Sequence, residues 1–122
     1  MYKLMCVDDS DIIKNKIQHS LKEGFEVVAK ASNGVDALKL FEQHHPDIIT
    51  MDITMPKMDG LECIRRLKEK DAKVKILVVS ALADKATALE ALKLGAVGFI
   101  TKPFTNEQLA EVLVKISQKI KK

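Results

Sequence analysis

The order of apolar segments predicts an α/β fold, a doubly wound sheet of five parallel strands. Two observations carry that expectation. Five short apolar runs, Leu4–Val7, Glu26–Ala29, Asp47–Met51, Lys75–Val79 and Val97–Thr101, alternate strictly with segments of helical period. The first, third and fourth runs are almost continuously apolar, which suits parallel strands covered by helices on both faces. Strict alternation implies right-handed crossovers and helices on each side of the sheet. A closed barrel needs eight such units, so the sheet is expected to be open.

The helical segments follow in order. Ile13, Ile17 and Leu21 recur at four-residue spacing in the first, and Leu38 with Phe41 mark the second. Leu61, Ile64 and Leu67 mark the third, Leu89 and Leu92 the fourth, and Leu109, Leu113, Ile116 and Ile120 the fifth. Asn33-Gly34 turns the chain into the second helix, and Thr105 with Gln108 predicts a capping box for the last. Gly24 and Gly95 stand where helices one and four are expected to stop. His44 and His45 close the second helix ahead of Pro46, and His19 lies in the first. All three histidines are read as structural or surface residues.

A chain of 122 residues is long enough for one domain with one core, so residues 1–122 are read as a single domain. Hydrophobic content of 47% with 30% charged residues is a globular balance and argues against disorder. No apolar run approaches the roughly 20 residues of a membrane span. Asp8 and Asp9 arrive too early for a signal peptide. Cys6 and Cys63 suggest no disulfide framework and are read as free thiols of a cytoplasmic protein. The net charge of +3 comes from scattered lysines, with a cluster at Lys115, Lys119, Lys121 and Lys122 that complements the last helix dipole. This is a weak basic patch, so neither nucleic acid nor membrane is an expected partner.

Function is concentrated where the strands end. Strand one runs into Asp8-Asp9, strand three into Asp52, strand four into Ser80 and strand five into Lys102. Parallel strands place these ends on one edge, where ligands of open α/β sheets bind. Each residue alone has an ordinary explanation: helix caps for Asp8, Asp9 or Ser10, a turn for Asp52 or Ser80, a solvated charge for Lys102. Jointly they form a cluster of three carboxylates, a hydroxyl and an ammonium. Two like charges about 4 Å apart cost roughly 4 kcal/mol at an effective dielectric near 20. The acids therefore need protons or a cation, and an oxygen-only site of this kind suits Mg²⁺. Such a site beside a lysine and a hydroxyl is suited to phosphoryl chemistry, with a carboxylate, best Asp52, as the nucleophile.

These residues resemble the receiver domain of two-component response regulators, especially the stand-alone CheY-like regulators. The matching pieces are Val7-Asp8-Asp9-Ser10, Asp47 through Pro56, Met58-Asp59-Gly60, Val79-Ser80-Ala81, Gly95-Ala96, Gly98-Phe99 and Lys102-Pro103-Phe104, in family order and over the whole chain. The resemblance implies a flavodoxin-like sheet of order 2-1-3-4-5; flavodoxin and CheY are the type examples of that order, which is carried over from them. It implies that Asp52 is the phosphoacceptor. Asp9, Asp52 and the Thr54 backbone carbonyl would bind Mg²⁺ directly, and Asp8 through water. Lys102 would contact the phosphoryl group, Ser80 would be the switch hydroxyl and Phe99 the switch aromatic, although an aromatic in a strand is ordinarily core. By the same resemblance, Thr54 and Leu82 would occupy the positions at which family members tune dephosphorylation. The Lys102-Pro103 bond is expected to be cis.

The implied function is a phosphorylation-activated switch rather than an enzyme, with Mg²⁺-dependent self-phosphorylation from small donors and slow autodephosphorylation. A histidine kinase would supply the phosphoryl group. The face of helix four, strand five and helix five would signal to a protein target such as a flagellar motor switch protein, in chemotaxis, with a phosphatase as a further partner. The chain ends with the fifth helix, so output by protein contact is expected. A phosphorelay carrier, or a receiver excised from a DNA-binding regulator, is the alternative. A remote one is an aspartate-nucleophile phosphatase. That class calls for a second aspartate where this chain has Thr54, and a cap domain for which the chain has no room.

Overall fold

The computed structural model describes residues 1–53, 60–81 and 85–120, the side chains of Ala81 and Lys85 excepted. Strands β1 (Tyr2–Val7), β2 (Phe25–Ala31), β3 (Ile48–Asp52), β4 (Lys75–Ala81) and β5 (Gly98–Lys102) alternate with helices α1 (Asp11–Ser20), α2 (Gly34–His44), α3 (Gly60–Lys70), α4 (Lys85–Lys93) and α5 (Asn106–Ser117). The strands form one parallel sheet in the order β2-β1-β3-β4-β5. The expected architecture and order are therefore both observed.

Side chains on a strand alternate between faces. Met5, Val7, Ile49, Met51, Ile76 and Val78 pack on one side, against residues of α2, α3 and α4 that include Phe41, Ile64, Leu67 and Ala91. Leu4, Cys6, Ile48, Leu77 and Val79 pack on the other, with Ile17 of α1 and with Leu109, Leu113 and Ile116 of α5. Two-sided coverage explains why β3 is buried at every position and reads as an unbroken apolar run. Cys6 and Cys63 lie on opposite faces, both buried and free. Burial pushes the Cys6 thiol up to about 11.

The punctuation follows local chemistry. Asn33 caps α2 by accepting from Asp36 N, and Thr105 and Gln108 form the reciprocal capping box of α5. His45 ends α2 in the left-handed region at φ 46°. Gly95, at φ +113°, ends α4 in a Schellman arrangement: Ala96 N donates to Ala91 O at 3.0 Å and Gly95 N to Leu92 O at 3.1 Å.

Three expectations are corrected. Gly24 does not cap α1, which stops at Ser20 with Leu21 as its cap; Gly24 instead turns the chain into β2 at φ +99°. Leu89 is 56% exposed, because α4 turns the small residues Ala88 and Ala91 to the sheet. On α1 the fully buried positions are Lys14, Ile17 and Ser20, while Ile13 and Leu21 are only partly covered. The buried polar residues find partners there: Lys14 Nζ donates to Ser32 Oγ at 2.6 Å, and Ser20 Oγ donates to Lys16 O at 2.7 Å.

Candidate functional site

β1 and β3 are neighbours in the sheet but their crossovers run in opposite directions, β1 toward β2 and β3 toward β4. The crevice outside such a switch point is where doubly wound sheets bind ligands. Asp8 follows β1 directly and Asp52 is the last residue of β3, both almost fully buried. Asp9 is exposed. Carboxylate oxygens of Asp8, Asp9 and Asp52 lie within 4.8 Å of one another.

The loop after β1 is held by its own hydrogen bonds. Asp8 N donates to Ala31 O at 3.0 Å, and Asp8 Oδ1 accepts from Ser10 N at 2.9 Å. Ser10 in turn is the N-cap of α1, its Oγ accepting from Ile13 N at 3.3 Å. That assignment decides among the three capping candidates at residues 8–10 and leaves the acids facing the crevice. Burial is the main cause holding the Asp8 carboxyl above its usual range, and the charge of Asp52 adds to it. The Ser10 N–H and the Lys102 ammonium pull the other way.

Lys102 closes β5 and reaches back across the edge. Its Nζ is 3.1 Å from Asp8 Oδ2 and 3.7 Å from Asp52 Oδ2. Ser80 pairs in register with Thr101, one residue beyond the Asp52–Val79 pairing. It is 2% exposed, and its Oγ has no hydrogen-bond partner among the described residues. A buried hydroxyl left in this way is costly unless a ligand uses it. Phe99 is 40% exposed, so the ordinary reading of a strand aromatic as core does not apply. It lines a surface groove with Thr101, Pro103, Val112 and Lys115. The Lys102-Pro103 bond is cis, as expected. Thr54 and Leu82 lie outside the described residues.

With all three acids ionised, Lys102 offsets one charge and two remain, at oxygen donors partly open to water through Asp9. That donor set fits a divalent hard cation that retains waters, as Mg²⁺ does. No histidine or cysteine joins the cluster among the described residues, so a soft-metal site is not built here.

A protein-family model of the response regulator receiver domain matches residues 4–114. The chain belongs to that family. This receiver domain is 41% identical over 119 residues to the chemotaxis protein CheY of Listeria monocytogenes, covering 97% of this chain and 100% of that one. It is 39% identical over 115 residues to CheY of Bacillus subtilis, covering 93% and 96%. Among solved structures, it is similar to the receiver domain of AraT from Geobacillus stearothermophilus, with TM-score 0.91, 32% identity and coverage of 97% and 94%. It is also similar to a chain of the CheX–CheY–BeF3–Mg²⁺ complex of Borrelia burgdorferi, with TM-score 0.86, 33% identity and coverage of 98% and 85%. No helix among the described residues is long and apolar enough to cross a membrane.

Two features of the site escaped the sequence reading. At Gly60, the first residue of α3, a Cβ would stand 2.3 Å from Ile53 Cα and 2.6 Å from Asp52 O. A glycine is therefore required where the chain returns against the end of β3. Lys14 and Lys16 carried no visible signal, since lysines on a helix ordinarily face solvent.

Proposed function

We propose that this receiver domain is a phosphorylation-activated switch in which Asp52 accepts a phosphoryl group from a phosphohistidine of a histidine kinase. An Asp52 carboxylate oxygen attacks phosphorus, the P–N bond breaks, and its electron pair stays on the imidazole nitrogen. The observation that carries the reading is the joint placement of Asp8, Asp9 and Asp52 within 4.8 Å, with the Lys102 ammonium 3.1 Å from Asp8 and 3.7 Å from Asp52.

Each residue has a task on this reading. Asp9, Asp52 and the Thr54 carbonyl would hold Mg²⁺ directly, with Asp8 through water. The ion supplies neutralisation of charge on the phosphoryl oxygens. Lys102 would supply the same from the end of β5. Ser80, buried without a partner among the described residues, would donate to a phosphoryl oxygen. Phe99, exposed on the neighbouring strand β5 in register with Val78, would follow into the space that Ser80 leaves. The Phe99 groove then changes shape on the face formed by α4, β5 and α5, which a protein target reads. The chain is a substrate of phosphotransfer and not itself an enzyme, apart from Mg²⁺-dependent uptake of phosphoryl groups from small donors and slow hydrolysis.

The similarity to CheY proteins of Listeria monocytogenes and Bacillus subtilis along almost the whole chain supports a chemotaxis role in the cytoplasm. The target would be a flagellar motor switch protein. The Borrelia burgdorferi neighbour, whose CheY is complexed with BeF3 and Mg²⁺, supports the same use of the acidic cluster.

The test is intact-mass spectrometry after incubation with Mg²⁺ and acetyl phosphate. One phosphoryl adduct is expected on wild type and none on Asp52→Asn. An adduct on both, or turnover of many phosphomonoesters without an adduct, would overturn the proposal. Binding of the phosphorylated protein to the flagellar motor switch protein of the same cell tests the output. Equal binding without phosphate would remove the chemotaxis assignment.

A further inference from the structure

Lys102 depends on a backbone segment that no ladder holds. β5 ends at Lys102, and α5 does not begin until its cap at Thr105. Pro103 and Phe104 lie between. Lys16, from the middle of α1, reaches this segment. Its Nζ donates to the Phe104 carbonyl and stands 4.6 Å from the centroid of the Phe104 ring. The ring is 3% exposed and packs in the core cluster with Ile17, Leu109 and Leu113. One turn further along α1, Ser20 Oγ lies 2.8 Å from the Asn106 side-chain amide, at the start of α5. Two consecutive turns of α1 thus grip the chain just beyond Lys102.

We infer that Lys16 is a positioning residue for Lys102: by holding the Phe104 carbonyl and ring, it fixes where the Lys102 ammonium stands against Asp8 and Asp52. The chemistry favours this over a merely solvated lysine. A backbone carbonyl between a strand and a helix needs a donor, and a charge-assisted bond is stronger than a neutral one. The ring face adds attraction for the same ammonium. The position matters because α1 begins directly after the Asp8-Asp9-Ser10 loop. One helix therefore carries the acids at its entrance and, through Lys16, the support of their cation. Lys102 has a flexible four-carbon stem, so the direction in which it leaves the backbone limits where its charge can sit. A small displacement of a phosphate-contacting group is costly to rate even when nothing in the site is removed.

This inference rests on Asp52 being the phosphoacceptor only for its kinetic part. The test uses Lys16→Met, which keeps an apolar stem near Phe104 and removes the donor, and Lys16→Arg, which restores it. Lys22→Met removes a positive charge from an exposed position near the end of the same helix and serves as the electrostatic control. The first reading is of the Lys102 side-chain methylene resonances in the unphosphorylated protein. In Lys16→Met they should move toward those of an exposed lysine, and in Lys16→Arg and Lys22→Met they should stay. The second is the rate of Mg²⁺-dependent phosphorylation from acetyl phosphate. It should fall about tenfold in Lys16→Met, with recovery in Lys16→Arg. Mg²⁺ affinity should remain within about twofold throughout, because no ligand is touched.

Unmoved Lys102 resonances in Lys16→Met would overturn the inference. So would an equal rate loss in Lys22→Met, or a fall in Mg²⁺ affinity that matches the fall in rate. Should Lys16→Met fail to fold, Lys16→Leu, an apolar side chain that likewise has no donor, gives the same reading. A wild-type protein that takes up no phosphoryl group would refute the phosphoacceptor role, and the Lys102 resonances would still decide the positioning.

Discussion

Lys102 Nζ stands 3.1 Å from Oδ2 of Asp8, nearer than its 3.7 Å to Asp52. The pair spans β1 to β5, with β3 and β4 lying between them. Strand spacing is about 4.8 Å, so a long side chain is required to cross that distance. The acids are almost wholly buried and the lysine only partly exposed, so water screens the interaction weakly. Without a metal, Lys102 is a counter-charge to the cluster.

Replacing Lys102 by Met should therefore lower stability of the metal-free protein at pH 7 by about 1–3 kcal/mol, below the cost of breaking a fully buried pair. Saturating Mg²⁺ should recover more stability for the variant than for wild type, because the repulsion it relieves is larger. Urea denaturation with and without Mg²⁺ measures both. An equal Mg²⁺ increment in the two proteins would show that Lys102 does not neutralise the cluster.

Asp8 gives a pH dependence of defined sign. Its folded carboxyl is held above the ordinary value of 3.8, so the folded state binds more protons than the unfolded one just above that pH. Its favourable contribution is full below pH 3.8 and is lost as pH rises through the folded value. Asp8→Asn, which keeps an oxygen for Ser10 N–H, should therefore make the metal-free protein more stable at pH 7. The advantage should shrink as pH falls toward 4. Thermal melts in chelator across that range check it, and a variant less stable than wild type at pH 7 would contradict the account.

Gly60→Ala should cost stability by overpacking, by about 1–3 kcal/mol. The added Cβ meets Ile53 Cα at 2.3 Å and the Asp52 carbonyl at 2.6 Å, and both are backbone, with no flexible side chain to yield. The relief must come from moving the end of β3. Phosphorylation of Asp52 from acetyl phosphate should slow together with the loss of stability. Wild-type rate and stability in this variant would refute the close approach.

The two thiols should be inert in the native state. Cys6 and Cys63 are both fully buried on opposite faces of the sheet. Cys6 is pushed up to about 11 by burial, so it carries no thiolate at pH 8 to react. A disulfide-exchange reagent at pH 8 should label neither until denaturant unfolds the chain. The neutral Cys6 thiol favours the folded state below pH 9, and that contribution is lost as pH rises through about 11. Rapid native labelling of Cys6 would contradict its burial.

Much of this was legible because it depends on short-range pattern. Continuous apolar runs mark strands covered on both faces, and β3 shows that coverage at every residue. The caps at Asn33 and Thr105 and the end of α4 at Gly95 follow from donors, acceptors and backbone freedom within a few residues. Where packing competes with pattern, the reading failed. Leu89 fits the helical period, yet the close approach of α4 to the sheet selects Ala88 and Ala91 instead. Gly24 resembles a helix stop, but α1 had already ended at Ser20.

By itself the sequence determined the architecture and the four segments whose ends carry Asp8, Asp9, Asp52, Ser80 and Lys102. Parallel strands must put their carboxyl ends on one edge, so that grouping needed no coordinates. Tertiary structure alone decided that Lys102 sits nearer Asp8 than Asp52, that Ser80 is buried without a partner among the described residues, and that Phe99 faces outward. It alone decided that Gly60 touches the end of β3 and that Lys16 holds Phe104. These relationships join residues far apart in the chain. They are set by distances of closest approach and by which polar groups packing leaves in need of a partner, and neither quantity is written in local sequence.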